Sequence, residues 1–230
     1  MYPTVPSITQ GEPPRELPRG PHRLEREVVL ASQRGRLLEA IAEVVAVKGY
    51  AASTVADVIG RAGVSRRTFY EQFRDKEACF LAAYEAGVEL LIGAVRAVSV
   101  EDEDLLAGAR ARVRAYLETL AAEPAFARTF LIEVAGAGPA ALELREAVHD
   151  RFAALLREQV GAARTQLPEL PEPPEEVYLA AVGATDLVVS RLVARGRTSE
   201  LPRLEDSVLH VQLSLLVGGT AAAAAAAARE

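Results

Sequence analysis

Apolar residues along this chain recur at helical spacing, and no run shows the strict alternation of a half-buried strand. The most informative stretch is residues 53–73. Val55, Val58, Ile59 and Ala62 fall at i, i+3, i+4 and i+7, which makes one apolar stripe on a short helix. Gly63 then supplies the permissive backbone of a sharp turn. Ser65 stands where the cap of the next helix belongs, and Phe69 and Phe73 share that helix's inner face at i, i+4. Arg66, Arg67, Thr68 and Tyr70 are left off that face, near the start of the helix. The pattern predicts a helix-turn-helix, whose second helix presents base-reading side chains from its N-terminal end. A plain helical hairpin inside a larger core would carry the same stripes. The one-turn spacing and the Ser-Arg-Arg-Thr run argue against it.

The same periodicity predicts the remaining elements. A helix over Ser32–Lys48 carries Leu37, Leu38, Ile41, Val44 and Val45 on its inner side, a short preceding turn over Glu25–Leu30 can extend it, and Gly49 stops it. Asp75 caps a long helix that runs to about Ser99 through Phe80, Ala83, Tyr84, Leu91 and Val95. The acidic run at 101–104 opens a helix to about Ala121, where negative charge favourably opposes the helix dipole. Pro124 opens another, to Ala135. A Gly-Ala-Gly-Pro turn at 136–139 precedes a helix over Ala140–Ala163, and four prolines make 165–176 a loop. Glu176–Ala194 and Leu204–Val217 are apolar nearly all round, so they must be buried on several faces. A second subunit is the simplest cover, through Leu187, Val188, Leu192, Leu209, Leu213 and Leu216. The fold class is all-α.

Lys48-Gly49-Tyr50, Thr54-Val55, Ala62-Gly63-Val64-Ser65, Thr68-Phe69-Tyr70, Phe73 and Asp75-Lys76-Glu77, in this order and spacing, resemble the DNA-binding domain of the tetracycline-repressor (TetR) family. The likeness is close over residues 34–80 and extends to the rest of the chain only as architecture. It implies a three-helix DNA-binding domain followed by a larger helical domain that binds a ligand and dimerises, with repression lifted when a small molecule enters the second domain. Carried onto this sequence, it makes Arg66, Arg67 and Thr68 base-edge readers, with Ser65 capping their helix. Tyr70 would lie along the phosphate backbone, and Thr54 and Lys76 would grip phosphates. The residue chemistry suits these roles: a guanidinium fork matches guanine O6 and N7, a threonine methyl meets a thymine methyl, and lysines and helix N-termini suit phosphate oxygens.

Charge alters the picture only once it is divided. The net charge of −6 argues against a nucleic-acid partner. Residues 23–76, however, carry ten Lys or Arg against seven Asp or Glu, while residues 77–230 carry fourteen against twenty-three. The basic part is the part with the motif, and its small excess makes dimerisation necessary for useful affinity. The expected organisation is therefore a disordered extension over 1–22, a helix-turn-helix domain over 23–75, a ligand-binding and dimerisation domain over 76–217, and a Gly/Ala tail over 218–230. Six prolines mark the extension, and Arg15, Arg19, His22 and Arg23 end it as a possible minor-groove arm or a solvated tail. No apolar leader segment is present, and the uncharged stretch Val208–Ala228 reads as an interface helix with an alanine tail rather than a membrane span. A cytoplasmic location is expected.

No catalytic constellation emerges: no nucleophile elbow, no paired-His zinc motif, and a Gly136-Ala-Gly138 run that follows a helix instead of a strand. His149 and Asp150 are adjacent, so a helix points them apart. One cysteine, Cys79, excludes an internal disulfide and any cysteine metal cluster, and its place is that of a small buried apolar residue. No enzyme, cofactor or metal is expected. The candidates for an effector pocket are Tyr84, Tyr116, Phe126, Phe130, Glu133, His149, Phe152 and Tyr178. Few aromatics and many Ala, Val and Leu suggest an apolar ligand. The expected partners are a near-palindromic duplex, a second copy of the chain and a small-molecule effector. The competing expectation is a helical DNA-binding module that answers a protein partner, or is constitutive.

Overall fold

The computed structural model describes the chain over residues 26–98 and 105–218. The expected extension with its basic arm, the acidic run at 101–104 and the alanine tail lie outside the described residues. Among the described residues the regular structure is helical: α1 (Arg26–Lys48), α2 (Val55–Ala62), α3 (Arg66–Gln72), α4 (Lys76–Arg96), α5 (Leu105–Ala122), α6 (Pro124–Leu131), α7 (Pro139–Gln166), α8 (Glu175–Ala194) and α9 (Glu205–Leu216), with 3-10 turns at Glu133–Gly136 and Thr198–Leu204.

The short turn before Ser32 extends α1, which begins at Arg26. Two boundaries differ from expectation, each for a local reason. The helix expected over 124–135 ends at Leu131 and tightens into a 3-10 turn, just before Gly138 takes a φ of +105° that a helix cannot continue. The start of α9 is delayed to Glu205 by a 3-10 turn containing Pro202, whose ring nitrogen has no proton to donate.

The chain divides into two compact units. The first holds the described residues up to Leu91 together with Ala122–Leu142. In it α1 packs against α2, α3 and α6. The stripes read from sequence are the surfaces that meet: Leu37, Leu38, Ile41 and Val45 from α1, Val58 and Ala62 from α2, and Phe69 and Phe73 are all buried. At about 1.5–3 kcal/mol for each fully buried large aliphatic or aromatic side chain, this core, not the propensity of α2 and α3, holds such short helices in place.

Tyr84 of α4 stacks on Phe130 of α6 at 5.2 Å, and Phe130 stacks on Phe126 at 5.4 Å. The stack fits because α4 presents Gly87 to Phe126. A Cβ on Gly87 would lie 1.8 Å from the Phe126 ring.

The second unit holds Ile92–Ala121 and the described residues from Glu143 onward. Ala153, Tyr178, Ala181, Val182 and Leu216 form a buried cluster, against which Phe152, Leu156, Val160 and Val177 pack. Ion pairs fix the helix registers. Arg114 Nε donates to Glu205 at 2.6 Å and Arg110 to Asp206 at 2.6 Å, tying α5 to the start of α9. Arg145 donates to Asp186 at 2.5 Å, tying α7 to α8.

Gly87 provides a test of the first unit. An exposed helical Gly→Ala change normally stabilises by about 1 kcal/mol. Here the added methyl overlaps Phe126, so Gly87→Ala is expected to destabilise by about 1–3 kcal/mol in urea denaturation, with partial recovery in the Gly87→Ala, Phe126→Leu double variant. A stabilised single variant would show that α4 and α6 are not this close.

Candidate DNA-reading face and effector cavity

The reading helix is set by three local devices. Gly63 ends α2 in the left-handed region at φ 63°, and its amide donates to Ile59. Ser65 Oγ accepts from the Thr68 amide at 3.0 Å and lies 2.9 Å from the Thr68 hydroxyl. Phe69, fully buried, anchors the helix from below. Arg66 is left exposed, with no hydrogen bond or ion pair among the described residues. The Arg67 side chain is 89% exposed and pairs only with Glu71, one turn along, at 2.9 Å. Such an exposed i, i+4 pair is worth a few tenths of a kcal/mol, so it readily yields to a better acceptor. Tyr70 is 49% exposed and leans edge-on against Phe69. Arg66, Arg67 and Tyr70 are therefore presented on one short helix, whereas the Thr68 hydroxyl is engaged with Ser65.

Thr54 opens α2 with a reciprocal cap. Its Oγ1 accepts from the Asp57 amide at 3.2 Å, and Asp57 Oδ2 accepts from the Thr54 amide at 3.0 Å. Lys48 donates to the other Asp57 oxygen at 2.5 Å. Chiefly this bond from Lys48, and then those from Thr54, lower the Asp57 carboxyl to about 2. On the next side of α2, Arg61 pairs with Glu43 of α1, its Nη2 donating at 2.8 Å.

Lys76 departs from the phosphate role that the resemblance implied. Its Nζ donates to the carbonyls of Tyr50 at 2.7 Å and Ser53 at 2.9 Å, and sits 4.0 Å from the centre of the Tyr50 ring. Burial lowers its pKa. Two of the three ammonium protons are thus spent inside the protein, which makes Lys76 a strut under the α1–α2 turn.

Glu133, expected in an effector pocket, is the opposite strut. Its Oε2 accepts from the Tyr50 amide at 3.3 Å, while Oε1 pairs with Arg128 at 3.1 Å. Thr129 adds a bond to the Ala42 carbonyl at 3.2 Å. The turn that aims α2 and α3 is therefore held from α4 on one side and from the segment after α6 on the other. Sequence reasoning missed this, because the contacts join residues 26 and 83 positions apart.

The other pocket candidates are divided between the two units. Tyr84, Phe126 and Phe130 form the buried stack of the first unit. Tyr116 and Phe152 meet edge-to-face at 5.9 Å in the second. His149 lies 4.0 Å from Asp186, and its pKa is lowered, mainly by burial, against the opposing pull of that carboxylate. Tyr178 is buried beneath Arg157. Cys79 is buried near the Leu37 carbonyl, and burial pushes its thiol up to about 12, so it is inert at neutral pH.

A different set lines a cavity of about 310 Å³ in the second unit: Leu105, Ala109 and Arg112 of α5, Leu156, Gln159, Val160, Ala163 and Leu167 around the last turns of α7, and Leu209, Gln212, Leu213 and Leu216 of α9. The wall is mostly leucine, valine and alanine, and among the described residues no carboxylate contributes to it. The signal for this cavity was present as Leu156, Val160, Ala163 and Leu167 at i, i+4, i+7 and i+11, and Leu209, Leu213 and Leu216 at i, i+4 and i+7.

That placement corrects part of the expected dimer surface. Leu209 and Leu216 are 4% and 8% exposed within their own chain and offer little area to a partner, while Leu213 is half-buried beside the cavity. What α8 does expose is Leu179, Ala180, Gly183 and Leu187, a stripe at near four-residue spacing, with Leu187 at 61%. Val188 and Leu192 flank it, half-buried. Leu215 adds exposed apolar surface on α9.

Residues 37–83 match the family model of bacterial regulatory proteins of the tetR family. Over 101 residues the chain is 32% identical to the HTH-type transcriptional activator FasR of Mycolicibacterium smegmatis, a stretch that is 44% of this chain and 46% of that relative. The chain thus spans about half the length of the curated relative it matches. Among solved structures, the fatty acid degradation regulator FadR from Bacillus halodurans shares the fold with a TM-score of 0.70 at 22% identity, over 79% of this chain and 94% of that one. The transcriptional regulator FadR from Bacillus subtilis, solved in complex with stearoyl-CoA, has a TM-score of 0.62 at 18% identity, over 79% and 98%. The helix-turn-helix geometry and the motif match agree: residues 37–83 are a DNA-binding domain of the tetR family of bacterial regulatory proteins, and the described chain shares the fold of the solved regulators.

Proposed function

We propose that this chain is a cytoplasmic homodimeric transcription regulator, most simply a repressor, that leaves its operator when an acyl-type apolar ligand enters the second part of the chain. The observation that carries the reading is the pair Arg66 and Arg67, held exposed at the start of a helix whose every other anchor is internal. Residues 23–75 serve as the reading head and 76–217 as the effector and dimer part. The ligand class rests on two supports: the leucine-lined cavity, and the fatty-acid regulators and stearoyl-CoA complex among the structural neighbours.

The dimer rests on α8. This helix has a mean hydropathy of 1.6, enough to cross a membrane by length and composition, yet only about a third of its most apolar window is buried by its own chain. α4 is equally apolar but half buried. Covering the Leu179–Gly183–Leu187 stripe with the same stripe of a second copy removes that surface from water, and Gly183, with open space around its missing Cβ, allows a close approach. Coupling runs through α4, unbroken from the Lys76 strut to Arg96.

Three outcomes are expected. Arg67→Ala costs about 1–3 kcal/mol of operator affinity and relaxes preference at one base pair per half-site, whereas Lys76→Met lowers both stability and affinity without changing the salt dependence. An unchanged gel-shift affinity for Arg67→Ala, or a salt slope about one unit shallower for Lys76→Met, would reverse these assignments. Leu187→Glu yields monomers by sedimentation that bind a palindromic operator poorly, because two reading helices about 34–36 Å apart are needed at once. A wild-type chain that sediments as a monomer at micromolar concentration removes the dimer from the reading. Finally, an effector lowers operator affinity roughly 5–150-fold, and saturating operator lowers effector affinity by the same factor. Equal effector affinity with and without operator rules that compound out.

A further inference from the structure

Arg112 stands apart among the arginines of α5. Arg110 and Arg114, two residues to either side and so on the opposite face of the helix, are committed to Glu205 and Asp206. Arg112 has no hydrogen bond or ion pair among the described residues, is half-buried, and lines the apolar cavity between α5, α7 and α9. Elsewhere in the same unit, Arg96, Arg145, Arg157 and Arg164 each have a carboxylate. A guanidinium beside a leucine wall loses hydration and gains nothing unless an anion reaches it.

Two further facts sharpen this. The remaining polar groups of the wall are glutamines, neutral donors that tolerate an anion, and among the described residues no Asp or Glu lines the cavity to compete for Arg112. One of them, Gln212, is oriented by its bond to Thr185 at 3.3 Å. The volume of about 310 Å³ is at the small end of ligand pockets.

We propose that Arg112 is the anion anchor of this cavity, which takes a single-chain amphipathic anion with a short apolar tail and its carboxylate at the guanidinium. This rests on the reading of the cavity as the effector site and adds to it the charge and size of the ligand. The apolar wall supplies affinity for the tail, and the bidentate fork supplies selection for a planar anionic head. Long tails exceed the cavity, and an uncharged head leaves Arg112 unmatched.

Binding of decanoate, 1-decanol and stearate to the full chain, measured by calorimetry, tests it. The wild type is expected to bind decanoate about tenfold or more tightly than decanol, and also more tightly than stearate. Arg112→Gln is expected to lose that preference, weakening decanoate about tenfold while decanol changes less than twofold. Ala109→Phe, which fills the cavity and keeps the charge, is expected to weaken both ten-carbon ligands. Arg112→Gln binding decanoate as the wild type does would overturn the anchor while leaving the cavity as a ligand site. Tighter binding of stearate than of decanoate would overturn the size limit. Wild-type chain that binds none of the three would overturn this inference and the effector reading of the cavity together. Decanoate bound as expected, without effect on operator affinity, would support the anchor and remove only the regulatory reading.

Discussion

The orientation of the reading helix depends on how the turn between α1 and α2 is held. That turn has no core of its own: Ala51, Ala52 and Thr54 are exposed, and Gly49 adopts a positive φ. It is fixed from outside, by the edge-on contact of the Tyr50 ring with Phe80 at 4.9 Å and by polar bonds. Lys76 takes two of its carbonyls and stacks on the Tyr50 ring, and Glu133 takes the Tyr50 amide. Each bond to a charged group is worth about 1.5–3 kcal/mol at most, and less where water competes. A grip of this size is strong enough to set the angle of α2 and α3 and weak enough to be altered by a modest movement of α4 or of the segment after α6.

The close approach of α4 and α6 has the opposite character. The Tyr84–Phe130–Phe126 stack over Gly87 is dry, buried and intolerant of an added methyl. Interiors packed to this density move as bodies rather than deform. A displacement of α4 therefore carries α6 with it, and through α6 the Glu133 and Thr129 contacts to the α1–α2 turn and to α1. The two struts are set on elements that are locked to each other, so they hold or release the turn together.

Much of this was legible in the sequence, because local rules govern the parts concerned. The α2–α3 stripes, the Gly63 turn and the Ser65 cap depend on neighbours within a few residues, and the structure places them as the spacing required. The roles of Lys76 and Glu133 were not legible. A lysine at a helix start suits a phosphate as well as it suits a carbonyl, and only the fold decides which acceptor is within reach. The leucine-lined cavity was not legible for a related reason: aromatics with 150–250 Å² to bury go first into tight packing, and the less demanding leucines are left around this void. The burial of Leu209 and Leu216 within their own chain was not legible, because a helix that is apolar all round gives no sequence signal of which face meets its own chain.

On the proposed reading, the energetics of release are modest. Changing operator affinity 5–150-fold requires a coupling of about 1–3 kcal/mol, comparable to weakening one or two of the bonds that Lys76 and Glu133 make. No unfolding is needed, and none is favoured, since the apolar core beneath α2 and α3 is many times larger than that sum. The reading head can then remain intact in both states, with Arg66 and Arg67 always exposed, and differ only in where the turn directs them. In a dimer this is sufficient. Two intact heads whose reading helices no longer match one turn of DNA bind little better than one, and a single head with so small a basic excess has little affinity to lose.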